Sequence, residues 1–162
     1  MGDLCQDGTV FAGLHPVTNE RLFIPPTDQE KPGSPGTYMM QWKNAQGTDD
    51  ITPDSDSDGR ANHAHRSGNI ADFEAFRACE DLVFGTHSDW YLPARDELAQ
   101  IMLNKGAIQA KGHITNFQST YWSSTEAGAN NFSWAVFSSN GTSQFFVKDT
   151  PAFFVRCVRG PH

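Results

Sequence analysis

The sequence has no apolar run long enough to cross a membrane, and it has few basic residues. No stretch approaches the roughly 20 apolar residues that span a bilayer, so we expect no membrane insertion. Residues 1–5 show neither the basic nor the apolar segment of a secretory signal. Twelve basic residues stand against 19 acidic ones, which gives a net charge of −7. Because nucleic acids and anionic membranes bind basic surfaces, we expect neither as a partner.

Cysteine is also scarce, and the three cysteines form an odd set. This count excludes a scaffold built mainly on disulfides and leaves room for one pair and one spare thiol. The sequence shows no internal repeat and no linker, and its 162 residues suit a single domain over residues 1–162. Fourteen glycines and nine prolines favour a loop-rich fold over a helical bundle.

The first half of the chain predicts two strands, a long loop and a helix. Residues 9–14 and 21–24 have strand composition and are separated by turn residues. Residues 46–69 are dense in Asp, Ser, Gly and Asn, which predicts a long polar loop. A helix is predicted from an Asn69 cap to Gly85. Apolar residues spaced three and four apart form its predicted buried stripe: Ile70, Phe73, Phe76, Cys79 and Val83.

The second half predicts one more helix followed by strands. Pro93 suits the first position of a helix, and Lys105 with the following glycine suits its end. Residues 132–137 and 144–147 flank an Asn-Gly dipeptide, which predicts a hairpin with a type I′ turn. Residues 153–159 read as a last strand. The predicted class is therefore α+β.

Three blocks of the second half carry a family resemblance. They are residues 89–98 (Asp-Trp-Tyr-Leu-Pro-Ala-Arg-Asp-Glu-Leu), residues 121–126 (Tyr-Trp-Ser-Ser-Thr-Glu) and residues 155–159 (Val-Arg-Cys-Val-Arg). In this order and at these separations, they resemble the C-terminal domain family of Legionella collagen-like adhesins, a bacterial and phage branch of the C-type-lectin-like fold. The resemblance implies a loop-rich α+β fold in which two helices pack on small antiparallel sheets.

The resemblance also implies a disulfide, since lectin-like folds commonly join a first-helix cysteine to the last strand. Cys79 and Cys157 occupy the matching positions. The bridge requires an oxidising environment. The alternative is a pair of reduced thiols packed as small apolar residues. Cys5 is then free or takes part in an intermolecular contact.

The predicted polar loop contains a candidate calcium site. Asp54, Asp56 and Asp58 alternate with serine and precede a glycine, as the carboxylates of calcium loops do. A complete EF-hand loop has glutamate at its twelfth position, where this chain has His65. The alternative is a solvated acidic loop. His63 and His65 supply too few ligands for zinc, so we interpret them as ordinary loop histidines.

The candidate binding surface is the stretch from residue 126 to residue 148, where small polar residues alternate with aromatic ones, as in antibody paratopes. The alternative is a soluble hairpin with a buried aromatic face. We interpret Trp90, Tyr121 and Trp122 as core residues, because they lie within the family blocks. The predicted ligand-binding residues are Glu126, Asn130, Asn131, Trp134, Ser138, Ser139, Asn140, Thr142, Gln144 and Lys148.

The resemblance implies a non-enzymatic module that binds a surface polysaccharide or a receptor. Its expected setting is extracellular: a bacterial adhesin or a phage tail-fibre tip, which release by lysis could deliver without a signal sequence. Relatives are often trimeric, which favours a homotrimer with multivalent binding. One alternative is a structural virion protein that uses the same surface for subunit contacts. A second is an enzyme of the formylglycine-generating type, whose active-site cysteine pair has no counterpart here.

Overall fold

The computed structural model describes residues 1–44, 54–128 and 131–160, and it confirms the α+β class. In chain order the elements are β1 (Val10–Leu14), β2 (Arg21–Ile24), α1 (Gly59–His65), a 3-10 helix (Ser67–Asp72), α2 (Glu74–Glu80), α3 (Arg95–Leu103), α4 (Lys105–Gln109), β3 (Thr120–Glu126), β4 (Phe132–Phe137) and β5 (Ser143–Val147). Strands β1 and β2 pair antiparallel, and β3, β4 and β5 form an antiparallel sheet in that order. No helix within the described ranges is long and apolar enough to cross a membrane.

The three-stranded sheet lies between two apolar clusters. Tyr121 of β3 belongs to the cluster beneath α3, and its neighbour Trp122 belongs to the cluster beneath α2. Val136 and Ala135 of β4 are divided in the same way, because successive strand side chains point to opposite faces. Tyr121, Trp122 and Trp90 are all buried, which confirms their interpretation as core residues.

A disulfide joins α2 to the C-terminal segment. Cys79 and Cys157 are bonded, their Cα atoms lie 5.5 Å apart, and both side chains are fully buried in the α2 cluster. The pairing implied by the family resemblance is therefore present. Cys5 is a free thiol and is half-buried.

Part of the predicted 46–69 loop is helical, which corrects the sequence prediction. Helix α1 forms because the Asp58 side chain accepts a hydrogen bond from the Ala61 N–H at 2.9 Å, a typical N-cap. Its buried face contains Asn62, whose side chain exchanges hydrogen bonds with the backbone of Ser55. Because the buried face of α1 contains the polar Asn62 and no apolar stripe, the spacing of apolar residues in the sequence did not predict this helix. Residues 46–53 of the predicted loop lie outside the described residues.

The first predicted helix is shorter than expected. Asn69 does not cap it, because Asn69 lies inside the 3-10 helix with non-helical angles (φ −140°, ψ 30°). This interruption separates the segment into the 3-10 helix and α2, which ends at Glu80. Val83, predicted on the buried stripe, is exposed beyond the helix end.

The second predicted helix begins and ends differently. Pro93 precedes it, and α3 starts at Arg95 after Ala94, whose N–H donates to the Glu97 carboxylate at 2.8 Å. The predicted stop at Lys105 is instead the start of α4. Burial of Ile108 in the α3 cluster stabilises this extra turn.

The β4–β5 hairpin is confirmed, but its turn is not type I′. A type I′ turn needs positive φ at two residues, and in the connection at 138–142 only Gly141 has it (φ 72°). Residues 153–159 form no regular strand either. They make single bridges to four separate segments, at Met40, Tyr121, Tyr91 and Phe23, so no continuous ladder develops.

Candidate functional site

Three aromatic side chains share one face of the β4–β5 hairpin. Trp134 and Phe145 are cross-strand partners, and Phe132 precedes Trp134 by two residues, so all three point the same way. The Phe145 ring centroid lies 5.5 Å from that of Phe132 and 5.6 Å from that of Trp134, both in edge-to-face geometry. Phe145 is 52% exposed, and the other two rings are half-buried. The hairpin therefore presents aromatic surface to water.

These rings form one side of a shallow groove. Its volume is about 330 Å³, and Ala127, Gly128, Phe132, Trp134 and Phe145 line it. A concave apolar surface that stays open to solvent is typical of a ligand or partner site. We call this feature the aromatic groove.

Arg95, the first residue of α3, holds Trp134 in place. Its guanidinium carbon lies 4.9 Å from the centroid of the Trp134 ring, a cation–π contact. The guanidinium is itself fixed, since it pairs with Asp56 at 2.9 Å and with Asp96 at 3.3 Å. The Arg95 backbone N–H also donates to Thr125 Oγ1 at 3.0 Å. The groove thus has a preorganised wall, which reduces the entropy lost on binding.

The hairpin tip, at the end of β4 and β5 opposite Ala127 and Gly128, is held by its own side chains. Asn140 Oδ1 accepts hydrogen bonds from the Thr142 backbone N–H at 3.1 Å and from the Thr142 hydroxyl at 2.8 Å. The Ser138 N–H donates to the Ser119 carbonyl at 2.9 Å, which ties the tip to the segment before β3. The tip is therefore an ordered polar surface.

The structure exposes most of the predicted ligand-binding residues, though not all. Ser138 is buried and serves the turn. Asn130 lies outside the described residues. The residues that remain accessible to a ligand are Asn131, Trp134, Ser139, Asn140, Thr142 and Gln144.

Glu126 and Lys148 were predicted on the binding surface, but both are buried in an ion cluster. Lys148 Nζ lies 2.7 Å from Glu126 Oε1, and Arg66 Nη2 lies 3.0 Å from the same oxygen. Arg66 also pairs with both carboxylate oxygens of Asp54, at 2.8 and 2.6 Å. Burial lowers the pKa of Lys148 and raises that of Asp54. These side chains bind each other, so they do not face a ligand.

The three aspartates proposed for calcium do not converge. Asp54 is held by the buried arginine described above, Asp56 pairs with Arg95 at 2.9 Å, and Asp58 caps α1 through Ala61. Within residues 1–44, 54–128 and 131–160, no group of three or more possible metal ligands comes together. Calcium binding there stays a prediction that this geometry does not favour.

A second cleft, of about 310 Å³, contains a buried glutamate. Glu97 Oε1 accepts a hydrogen bond from the Tyr91 hydroxyl at 2.9 Å and lies 3.2 Å from His15 Nε2. Its other oxygen accepts from the backbone N–H groups of Ala94 at 2.8 Å and Gly59 at 3.1 Å. Glu97 thereby joins the β1–β2 turn, α1 and α3, so its role is structural.

The cysteines give no support to an enzyme of the formylglycine-generating type. All three fall within the described residues, and Cys79 and Cys157 are consumed by the buried disulfide. Only Cys5 carries a free thiol, and one thiol cannot form a reactive pair.

Of the groove-lining residues, the predicted ligand-binding set contains Trp134 and omits Phe132 and Phe145 as well as Ala127 and Gly128. It also omits Arg95, which contacts Trp134 from α3. The sequence could have indicated the two phenylalanines, because side-chain alternation along β4 and β5 places Phe132 and Phe145 on the same face as Trp134. No local signal existed for Arg95, which reaches the groove from a different element.

The model of the Lcl C-terminal domain family matches residues 30–159, which is most of the chain. The chain belongs to this family. The match contains α1 to α4, β3 to β5 and the aromatic groove, whereas β1 and β2 precede it. The Lcl C-terminal domain is the adhesin-associated domain of Legionella collagen-like proteins, and it indicates a non-enzymatic binding role. Together with the disulfide, the family indicates an extracellular location. No curated protein gives a significant match to the chain.

Proposed function

We propose that this domain is an attachment module that holds a surface glycan in the aromatic groove, as part of an adhesin or a phage tail fibre. The observation that carries the proposal is the exposure of Phe145 beside Trp134 in a preorganised groove. The aromatic residues of the core are buried, whereas Phe145 is exposed and Phe132 and Trp134 are half-buried. Adjacent aromatic side chains that stay accessible to water favour a binding site.

The groove has the chemistry that sugar binding requires. Sugar rings offer an apolar face of C–H groups together with hydroxyls at their edges. Phe132, Trp134 and Phe145 supply the apolar surface, while Asn140 and Gln144 lie exposed on the same hairpin. Gln144 pairs with Ala135 on the opposite face of the hairpin, and Asn140 lies at its tip, so both amides are outside the groove lining. They can hydrogen-bond hydroxyls of a glycan that extends beyond the groove.

A groove of about 330 Å³ accommodates only a small part of a polysaccharide, so affinity per site will be low. Attachment proteins offset weak sites by presenting several copies at once. We therefore include a homotrimer in the proposal. Its expected signature is a polysaccharide affinity that exceeds the affinity for a short oligosaccharide.

The test compares binding of the wild-type chain and single variants to an array of surface polysaccharides. Trp134→Ala and Phe145→Ala should each weaken binding by about 30-fold, since losing a central aromatic contact costs about 2 kcal/mol. The matched control is Tyr38→Ala, because Tyr38 is another exposed aromatic residue (42%) and lines a different groove. This control should bind as the wild type does.

Two results would oppose the proposal. If polysaccharide binding survives both groove substitutions, the ligand binds elsewhere. If no polysaccharide binds, and Phe145→Ala instead breaks a stable oligomer in light scattering, the groove is a subunit contact. That second outcome corresponds to a structural virion or assembly protein.

A further inference from the structure

The hairpin that forms the aromatic groove carries no charge. From residue 127 to residue 147 the chain contains no Asp, Glu, Lys, Arg or His, although 19% of all its residues are charged. This stretch includes β4, the tip, β5 and all the groove-lining residues that the structure describes. Its polar side chains are Asn, Gln, Ser and Thr, whose amides and hydroxyls both donate and accept hydrogen bonds.

The charges that border the stretch are already neutralised. Glu126 and Lys148 flank it on either side, and they are buried and paired with each other at 2.7 Å. The cation against the groove is Arg95, which pairs with the carboxylates of Asp56 and Asp96. With one positive and two negative charges, this edge of the groove offers an anion no net attraction.

We infer that the groove is selective for neutral glycans over sulfated or carboxylated ones, an inference that rests on the proposed function. Sulfate and carboxylate groups are recognised by Arg and Lys that keep hydrogen-bond donors available. Within the described part of the chain, the residues that line the groove supply none, and the net charge of −7 repels a polyanion at long range. Neutral hexose or N-acetylhexosamine rings need no charged partner, and their C–H faces can pack on the Trp134 and Phe145 rings.

The test measures binding of the full chain to immobilised neutral polysaccharides (mannan, dextran and chitin oligosaccharides) and acidic ones (heparin and alginate). Each is measured at about 0.01 M and about 1 M salt, which shortens the Debye length from about 30 Å to about 3 Å. We expect binding to at least one neutral polysaccharide, with an affinity that changes less than about twofold between the two salts. Trp134→Ala should reduce that binding by at least about tenfold.

Binding confined to acidic polysaccharides, lost in high salt and in Trp134→Ala, would overturn the inference while leaving the aromatic groove as the site. Binding that persists in Trp134→Ala, or a preference for an apolar peptide over every polysaccharide, would overturn both the inference and the proposed function. Circular dichroism verifies the fold of each variant. Phe145→Ala provides the same test if Trp134→Ala does not fold, because the Phe145 side chain is half exposed.

Discussion

Removing the disulfide between Cys79 and Cys157 is expected to lower the free energy of unfolding by about 4.5 kcal/mol. The two cysteines are 78 residues apart, so the bond removes much of the conformational freedom of the unfolded chain. In the chain-entropy relation a loop of this length corresponds to about 15 cal/mol/K, or about 4.5 kcal/mol at 25 °C. A domain of this size has a total stability of about 5–15 kcal/mol. The reduced protein should therefore keep about 0.5–10.5 kcal/mol, and it would be close to unfolding at the low end of that range.

Urea denaturation of the oxidised wild type, the reduced wild type and Cys79→Ala/Cys157→Ala measures this loss. The last two should agree within about 1.5 kcal/mol, because both lack the cross-link and differ only by two buried sulfur atoms. Cys5→Ala is the matched control, since Cys5 is the free thiol, and it should unfold as the wild type does. A loss below about 1 kcal/mol for both disulfide-free forms would refute the reasoning. It would mean that the unfolded chain stays compact without the bond.

Two further predictions concern buried charges. Glu126→Gln should destabilise the protein by about 3 kcal/mol, because it leaves Lys148 and Arg66 without their shared carboxylate. A loss below about 1 kcal/mol in urea denaturation would show that water already solvates this cluster. Burial lowers the pKa of His63 below its ordinary value of 6.5, an effect that exceeds the opposing influence of Glu80. The unfolded state then binds more protons as pH falls below 6.5, so stability should decrease there. His63→Gln should flatten this part of the pH dependence between about pH 5 and pH 7, and an unchanged slope would contradict the assignment.

The elements with strong local patterns could be predicted from the sequence. The strand composition of residues 9–14 and 21–24, the turn residues between them, and the Asn-Gly dipeptide at 140–141 identified both β-hairpins. The family resemblance implied the disulfide, since Cys79 and Cys157 occupy the positions of the bridge that is common in lectin-like folds. The sequence prediction missed helix α1 because polar hydrogen bonds hold it in place, and it lacks the apolar stripe that is the main helix signal of a local pattern.

The candidate site was only partly predictable. Trp134 and the exposed tip residues were predicted because small polar residues interleaved with aromatic ones form adaptable recognition surfaces, and their role in binding stays a prediction. Glu126 and Lys148 were misassigned, because a charged residue at a strand end usually faces water. Arg66, distant in sequence, comes to lie beside both of them and converts their surroundings into a buried ion cluster.

The sequence by itself determined which side chains share a face of the β4–β5 hairpin, since strand periodicity is a property of the backbone. Only the tertiary structure decided which part of that face is covered. Helix α3 packs over the Val136 end and buries it, whereas at the other end Arg95 contacts Trp134 and Phe145 stays 52% exposed. Which element covers a face depends on long-range packing of two segments, and the pattern within either segment does not contain that information.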